Sequence, residues 1–142
     1  MRCDSVKTER EYALYGLDPL EQIIIDVLEY LDDSIDFFDL QLILSESISN
    51  AFFHGNQGDV TKPIYLKVII HESIITFKIK DAGACTQKFN IHEEIEEEDI
   101  LSDRGRGLFL LKCFTDYMDY KNNTLILKKK INSINDKISL DN

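Results

Sequence analysis

Glu46, Asn50 and His54 recur at every fourth position of the chain, so on a helix they stand one above another as a single polar strip. A carboxylate, an amide and an imidazole arranged this way can hold a metal ion beside a reacting oxygen. Farther along, Gly105 and Gly107 open an apolar run. A glycine-rich helix start offers N–H groups without partners and the positive end of the helix dipole, which together make a seat for phosphate. Between these segments Asp81 ends a strand and the chain turns at Gly83, where a carboxylate can accept a hydrogen bond from a purine amino group. Metal, base and phosphate each have a candidate holder.

The chemistry of the donors narrows the metal. Mg²⁺ prefers oxygen ligands and keeps several waters, so the side-chain carbonyl of Asn50 together with nucleotide phosphates would satisfy it. Glu46, one turn away, can then polarise a hydroxyl or a water aimed at a γ-phosphate.

These residues need a scaffold, and the hydrophobic spacing supplies one. Tyr12 to Tyr15 reads as a short edge strand stopped by Gly16. Asp18-Pro19-Leu20-Glu21 carries the pattern of a helix start, with an acidic cap and proline at the first helical position. Leu20, Ile24, Val27, Leu28 and Leu31 then follow a helical period, which Ile23 and Ile25 widen toward a second buried side or a partner. Asp36 and Asp39 begin a second helix, whose core face is Leu40, Ile43, Leu44, Ser47, Ile48 and Ala51. Its opposite face carries the polar strip, and Gly55 suits a left-handed helix end.

Two runs of alternating polarity, 64–71 and 74–80, meet at Glu72-Ser73 and read as a hairpin with Ile75, Phe77 and Ile79 facing the core. Residues 84–102 are acidic and weakly periodic, the pattern of a long loop or lid. Leu108, Leu111, Cys113, Phe114 and Met118 outline a third helix, and 124–128 a last strand reached through Asn122-Asn123. Residues 1–10 and 131–142 read as loose termini, leaving one domain over 1–142.

Composition excludes several classes of function. A net charge of −10 opposes direct contact with nucleic acid, because phosphate contacts need clustered Lys and Arg. The apolar run Ile23-Ile24-Ile25 is far short of the roughly 20 residues that span a bilayer, and the N-terminus lacks a secretory pattern. Three widely spaced cysteines suggest neither a disulfide framework nor a zinc site. A reducing cytoplasm is the expected compartment.

The Glu46/Asn50 strip with His54-Gly55, the Asp81-x-Gly83 turn and the Gly105-x-Gly107 helix start, taken in order, resemble the GHKL ATPases, and specifically the bacterial anti-sigma factor serine/threonine kinases. The resemblance runs from about Tyr12 to Lys130, and the stretch from Gly105 to Leu111 is especially like that subgroup. It implies an α+β fold: a two-layer sandwich with a mixed, mostly antiparallel sheet and helices on one face. It implies Glu46 as catalytic base, Asn50 as Mg²⁺ ligand and Asp81 as the reader of adenine. His54, Gly83, Arg104, Gly105, Arg106, Gly107, Leu108 and Thr124 complete the implied ATP contacts. The implied partners are a sigma factor, an antagonist protein phosphorylated on serine, and a second copy of the chain. Where the family turn continues to a second glycine, this chain has Cys85. A non-catalytic partner-binding module of the same fold is the alternative reading.

Overall fold

The structure, a computed structural model, describes residues 7–32, 34–83 and 103–131. Strand β1 spans Thr8–Leu14, helix α1 Leu20–Leu31 and helix α2 Phe37–Asn50, which continues as a π-helical turn over Ala51–Gly55. Strands β2 (Ile64–His71) and β3 (Ile74–Lys80) follow, then helix α3 (Asp103–Phe114) and strands β4 (Tyr117–Lys121) and β5 (Thr124–Lys130). The sheet order is β1-β2-β3-β5-β4, and every pairing is antiparallel. Among the described residues the sheet is therefore antiparallel throughout rather than mixed. Crossing from β3 through α3 leaves β4 parallel to β3, but the tight turn after β4 folds β5 back between them. The parallel relation never becomes a direct pairing.

Alternation fixes which face of the sheet is covered. Leu14, Ile64, Leu66, Val68, Ile75, Phe77, Ile79, Leu125 and Leu127 form one face of the core, joined by Ile23, Ile24, Val27 and Leu31 of α1, Leu40, Ile43, Leu44 and Ile48 of α2, and Leu108 and Leu111 of α3. Burying each such side chain stabilises by about 1.5–3 kcal/mol before the entropy of ordering it is subtracted. The core faces expected of α2 and β3 are those observed. Ile23 joins the core, whereas Ile25 stays 42% exposed, so α1 is not buried on a second side there.

Element ends differ from the sequence reading where local chemistry has competitors. Helix α1 begins at Leu20, and Asp18 makes no capping bond; Pro19 occupies the cap position. Strand β1 runs back to Thr8, because pairing with β2 down to Thr8↔Ile70 outweighs the low strand preference of its charged residues. The stretch around Met118 is strand β4 rather than helix. Helix α3 stops at Phe114, where Thr115 Oγ1 donates to Leu111 O at 2.7 Å and Lys129 Nζ donates to Phe114 O at 3.0 Å. Asn122 and Asn123 both take positive φ, 53° and 60°, the two-residue turn whose twist suits a hairpin.

Two sets of polar contacts lock the layers together. Lys129 also pairs with Asp39 at 3.6 Å, so one ammonium ties β5 to the start of α2 and the end of α3. At the other edge, Tyr12 of β1 donates its hydroxyl proton to Asp26 of α1. Burial, then the bond to Asp26 and its charge, push the Tyr12 pKa up to about 12 from 10.0. A folded value above the unfolded one means stability present below pH 10 that is lost as pH rises through 12. Wild type should thus lose unfolding free energy between pH 10 and 12 relative to Tyr12→Phe. Denaturant titrations of both proteins across that range check it, and parallel pH profiles would refute the assignment.

Candidate functional site

Burial is the first guide to the site. Among the described residues the buried polar side chains are Ser47, Asn56 and Asp81, and buried polar groups need partners. Ser47 bonds back to its own helix at Leu44 O, 3.4 Å. Asn56 and Asp81 instead belong to one cluster that joins the first two motifs.

Asp81 continues the alternation of Ile75, Phe77 and Ile79, so it points to the helix-covered side of the sheet. Its Oδ1 accepts from the Gly83 amide at 2.9 Å and its Oδ2 from the Tyr120 hydroxyl at 3.4 Å. A carboxylate has about four acceptor positions, so both oxygens keep capacity for a further donor. Gly55 lies directly against it: a Cβ built there would sit 2.3 Å from Asp81 Oδ2. A Cβ on Gly83 would sit 1.9 Å from the Gly55 carbonyl oxygen. Gly55 has no positive φ, so its glycine character serves close approach rather than a left-handed helix end. The two glycines let the end of the helical segment and the turn after β3 touch backbone to backbone.

The π turn changes the polar strip. Asn56 N donates to Ala51 O at 2.8 Å, a five-residue step, wider than the α-helical one. Glu46 and Asn50 remain one α-helical turn apart and both are half-buried, whereas His54 lies in the wider turn and is exposed. The sequence spacing alone put all three in one line.

The first and third motifs meet at Glu46. A Cβ on Gly107 would lie 2.7 Å from Glu46 Oε2, so the bare backbone of α3 at this point rests against the carboxylate. Because α3 includes Asp103, Gly107 is at least its fifth residue, beyond the first four amides that lack helical partners. What the geometry shows at Gly107 is room for Glu46. Arg104, Gly105 and Arg106 lie within α3, and their surroundings fall outside the described residues, as do Cys85 and the acidic segment within 84–102.

Gly107→Ala should therefore separate stability from chemistry. Alanine is favoured over glycine inside a helix by about 1 kcal/mol, and among the described residues the only clash is with the end of a flexible side chain. Thermal unfolding should stay level or rise by roughly 2–4 °C. Displacing the Glu46 carboxylate should lower any reaction it serves by about 10²-fold. Calorimetry and turnover on the same sample check this, and unchanged turnover would remove Glu46 from the chemistry.

Leu108 and Thr124, also expected among the ligand contacts, have surroundings of their own. Leu108 is 3% exposed and belongs to the core, because the third motif's apolar residues must anchor α3. Thr124 lies on the open face of the sheet, where a cavity of about 570 Å³ is lined by Tyr65, Lys67, Lys78, Lys80 and Thr124. It alternates with the core residues Leu125 and Leu127, so it points away from Asp81. The neighbouring Asn123 reaches the site in its place: its Nδ2 donates to Gly83 O at 2.8 Å, and its carbonyl accepts from Asp81 N at 3.1 Å. Asn56, Tyr120 and Asn123 were not singled out from the sequence, where asparagines in these positions read simply as turn formers.

Among the described residues no group of three or more His, Cys, Asp or Glu side chains forms a cage. The amide oxygen of half-buried Asn50 fits the sparse donor set that Mg²⁺ takes when phosphates supply the rest.

Among the described residues an antiparallel sheet is backed by three helices, with a carboxylate against a glycine-bearing helix and a second buried carboxylate at the end of a strand, and this defines the class of the histidine kinase-like ATPase domain. Residues 21–129 match that family, and the chain belongs to it. The chain is also similar to the anti-sigma F factors of Bacillus thuringiensis (strain Al Hakam), Bacillus mycoides (strain KBAB4) and Bacillus cereus (strain AH187). Each is 26% identical over 89 residues, which are 60% of this chain and 60% of the relative. The match thus spans about three fifths of the length of these curated relatives. Among the described residues no helix is long and apolar enough to cross a membrane.

Proposed function

We propose that this chain is an ATP-dependent protein serine kinase that also binds a sigma factor, and that its substrate is a serine on an antagonist protein. The observation that carries the reading is the meeting of Glu46 with the backbone of α3 at Gly107. It brings a carboxylate on one helix to the helix whose first turn would receive phosphate. In this reading Glu46 takes the proton of the acceptor serine as its Oγ attacks the γ-phosphorus and ADP departs. Mg²⁺, held by Asn50 and phosphate oxygens, supplies charge neutralisation when bound. Asp81 accepts from the 6-amino group of adenine, with Gly83 leaving space beside it. Gly105, Arg104 and Arg106 are the proposed phosphate contacts, and His54 is proposed to line the approach. Because bond making requires little covalent help from the protein, most of the catalysis is positioning.

The similarity to anti-sigma F factors supports the sigma-factor partner, and we extend it to a homodimer acting in the cytoplasm, without direct contact to nucleic acid or membrane. The test begins with thermal unfolding in Mg-ATP. Binding at 100 times Kd would add about 2.7 kcal/mol of stability, and no shift at millimolar nucleotide would overturn the reading. Labelled ATP is then incubated with candidate antagonist proteins. Label on serine supports the kinase, and a thermal shift without transfer favours a non-catalytic module that sequesters its partner.

A further inference from the structure

We propose that Asn56 and Asn123 form a positioning pair that sets base recognition at Asp81, an inference that rests on the nucleotide reading above. Asn56 is 1% exposed, and every polar group it owns is engaged. Its Nδ2 donates to both Lys62 O and Pro63 O at 3.2 Å, and its Oδ1 accepts from the Ala82 amide at 2.7 Å. Its own amide donates to Ala51 O, and its carbonyl accepts from Asp59 N at 3.1 Å. One side chain therefore joins the π turn, the entry to β2 and the residue after Asp81.

Asn123 holds the other side of the same turn, through Gly83 O and Asp81 N. Residues 81–83 are thus gripped from the helical layer and from the β4–β5 hairpin at once. Neither asparagine needs to touch a ligand to act. They fix the backbone on which the Asp81 carboxylate is mounted, and that carboxylate separates adenine, whose 6-amino group donates, from guanine, whose 6-oxygen would face it as a second acceptor. A site built to pair with one donor rejects the analogue that lacks it only while its own acceptor is held in place.

Two variants test the pair. Asn56→Asp keeps the shape and the acceptor but removes both donors and turns a charge toward two carbonyls. Asn123→Gly deletes the donor to Gly83 while suiting the positive φ of the hairpin turn, so it retains the fold even where the first variant does not. Affinities for Mg-ATP, Mg-GTP and tripolyphosphate are measured on the full chain. The expected result is an ATP-over-GTP preference lowered about tenfold or more, with tripolyphosphate affinity unchanged, since positioning errors act on the group positioned. A folded Asn123→Gly with the wild-type ratio overturns the inference, as does equal loss of ATP and tripolyphosphate. If the wild type itself does not distinguish ATP from GTP, the reading of Asp81 falls. Amide exchange at Ala82 and Gly83 without nucleotide then decides the grip: faster exchange in Asn56→Asp supports it, and wild-type exchange overturns it.

Discussion

Glu46→Gln is expected to reduce phosphoryl transfer to a serine protein by about 10²–10⁴-fold, the range a positioned base contributes, with Mg-ATP affinity nearly unchanged. Glutamine fills the same volume, so the contact with Gly107 and the packing of α2 on α3 survive. Asn50 and Asp81, which carry the metal and base contacts of the proposed site, are untouched. What is lost is the only feature glutamine cannot supply, a carboxylate able to take the hydroxyl proton. Single-turnover transfer with saturating ATP measures the effect, alongside a binding titration. Transfer at the wild-type rate would mean that the carboxylate serves packing alone. A parallel fall in ATP affinity would mean that it acts in binding.

Gly83→Ala carries the other large expectation, and it acts through backbone rather than charge. The added Cβ would fall 1.9 Å from the Gly55 carbonyl oxygen and 2.8 Å from its carbon. No side-chain rotation relieves that clash, because both atoms are main chain. Residues 81–83 and the end of the π turn must move apart, and the cost should be about 1–3 kcal/mol of stability, as for other overpacked sites. The displacement also carries Asp81 away from its position, so ATP affinity should drop tenfold or more, about 1.4 kcal/mol. Gly107→Ala makes a direct contrast, since there the obstructing atom is the tip of Glu46. Similar stability losses in the two variants would contradict this distinction between rigid and yielding neighbours.

Much of the site was legible because its residues obey short-range periods. The α-helical step between Glu46 and Asn50, the strand ending at Asp81 and the glycines of α3 can all be read within a few residues. Thr124 and Leu108 illustrate where that reading ends. Whether a residue at the start of a strand faces the helices or the open side depends on the register of β5 against β3, Lys80↔Thr124 and Ile79↔Leu125. Register is a long-range property, and one step of slip exchanges the faces. Leu108 could serve a ligand or the core equally well by spacing, and its side chain is buried in the core cluster. Strand β4 was hidden for a related reason: Met118 continues the helical period of α3, but the hairpin with β5 and the bonds ending α3 at Phe114 outweigh that local signal.

The sequence by itself determined the amphipathic faces of α2 and β3, the hairpin at Glu72-Ser73, and the order of the three motifs, since these follow from periods of two and 3.6 residues and from turn chemistry. Tertiary structure alone decided that Gly107 rests on Glu46, that Gly55 and Gly83 touch, and that Asn56 and Asn123 grip the turn bearing Asp81. Those contacts join positions tens of residues apart, and only the packing of helices on a registered sheet sets the distances between them.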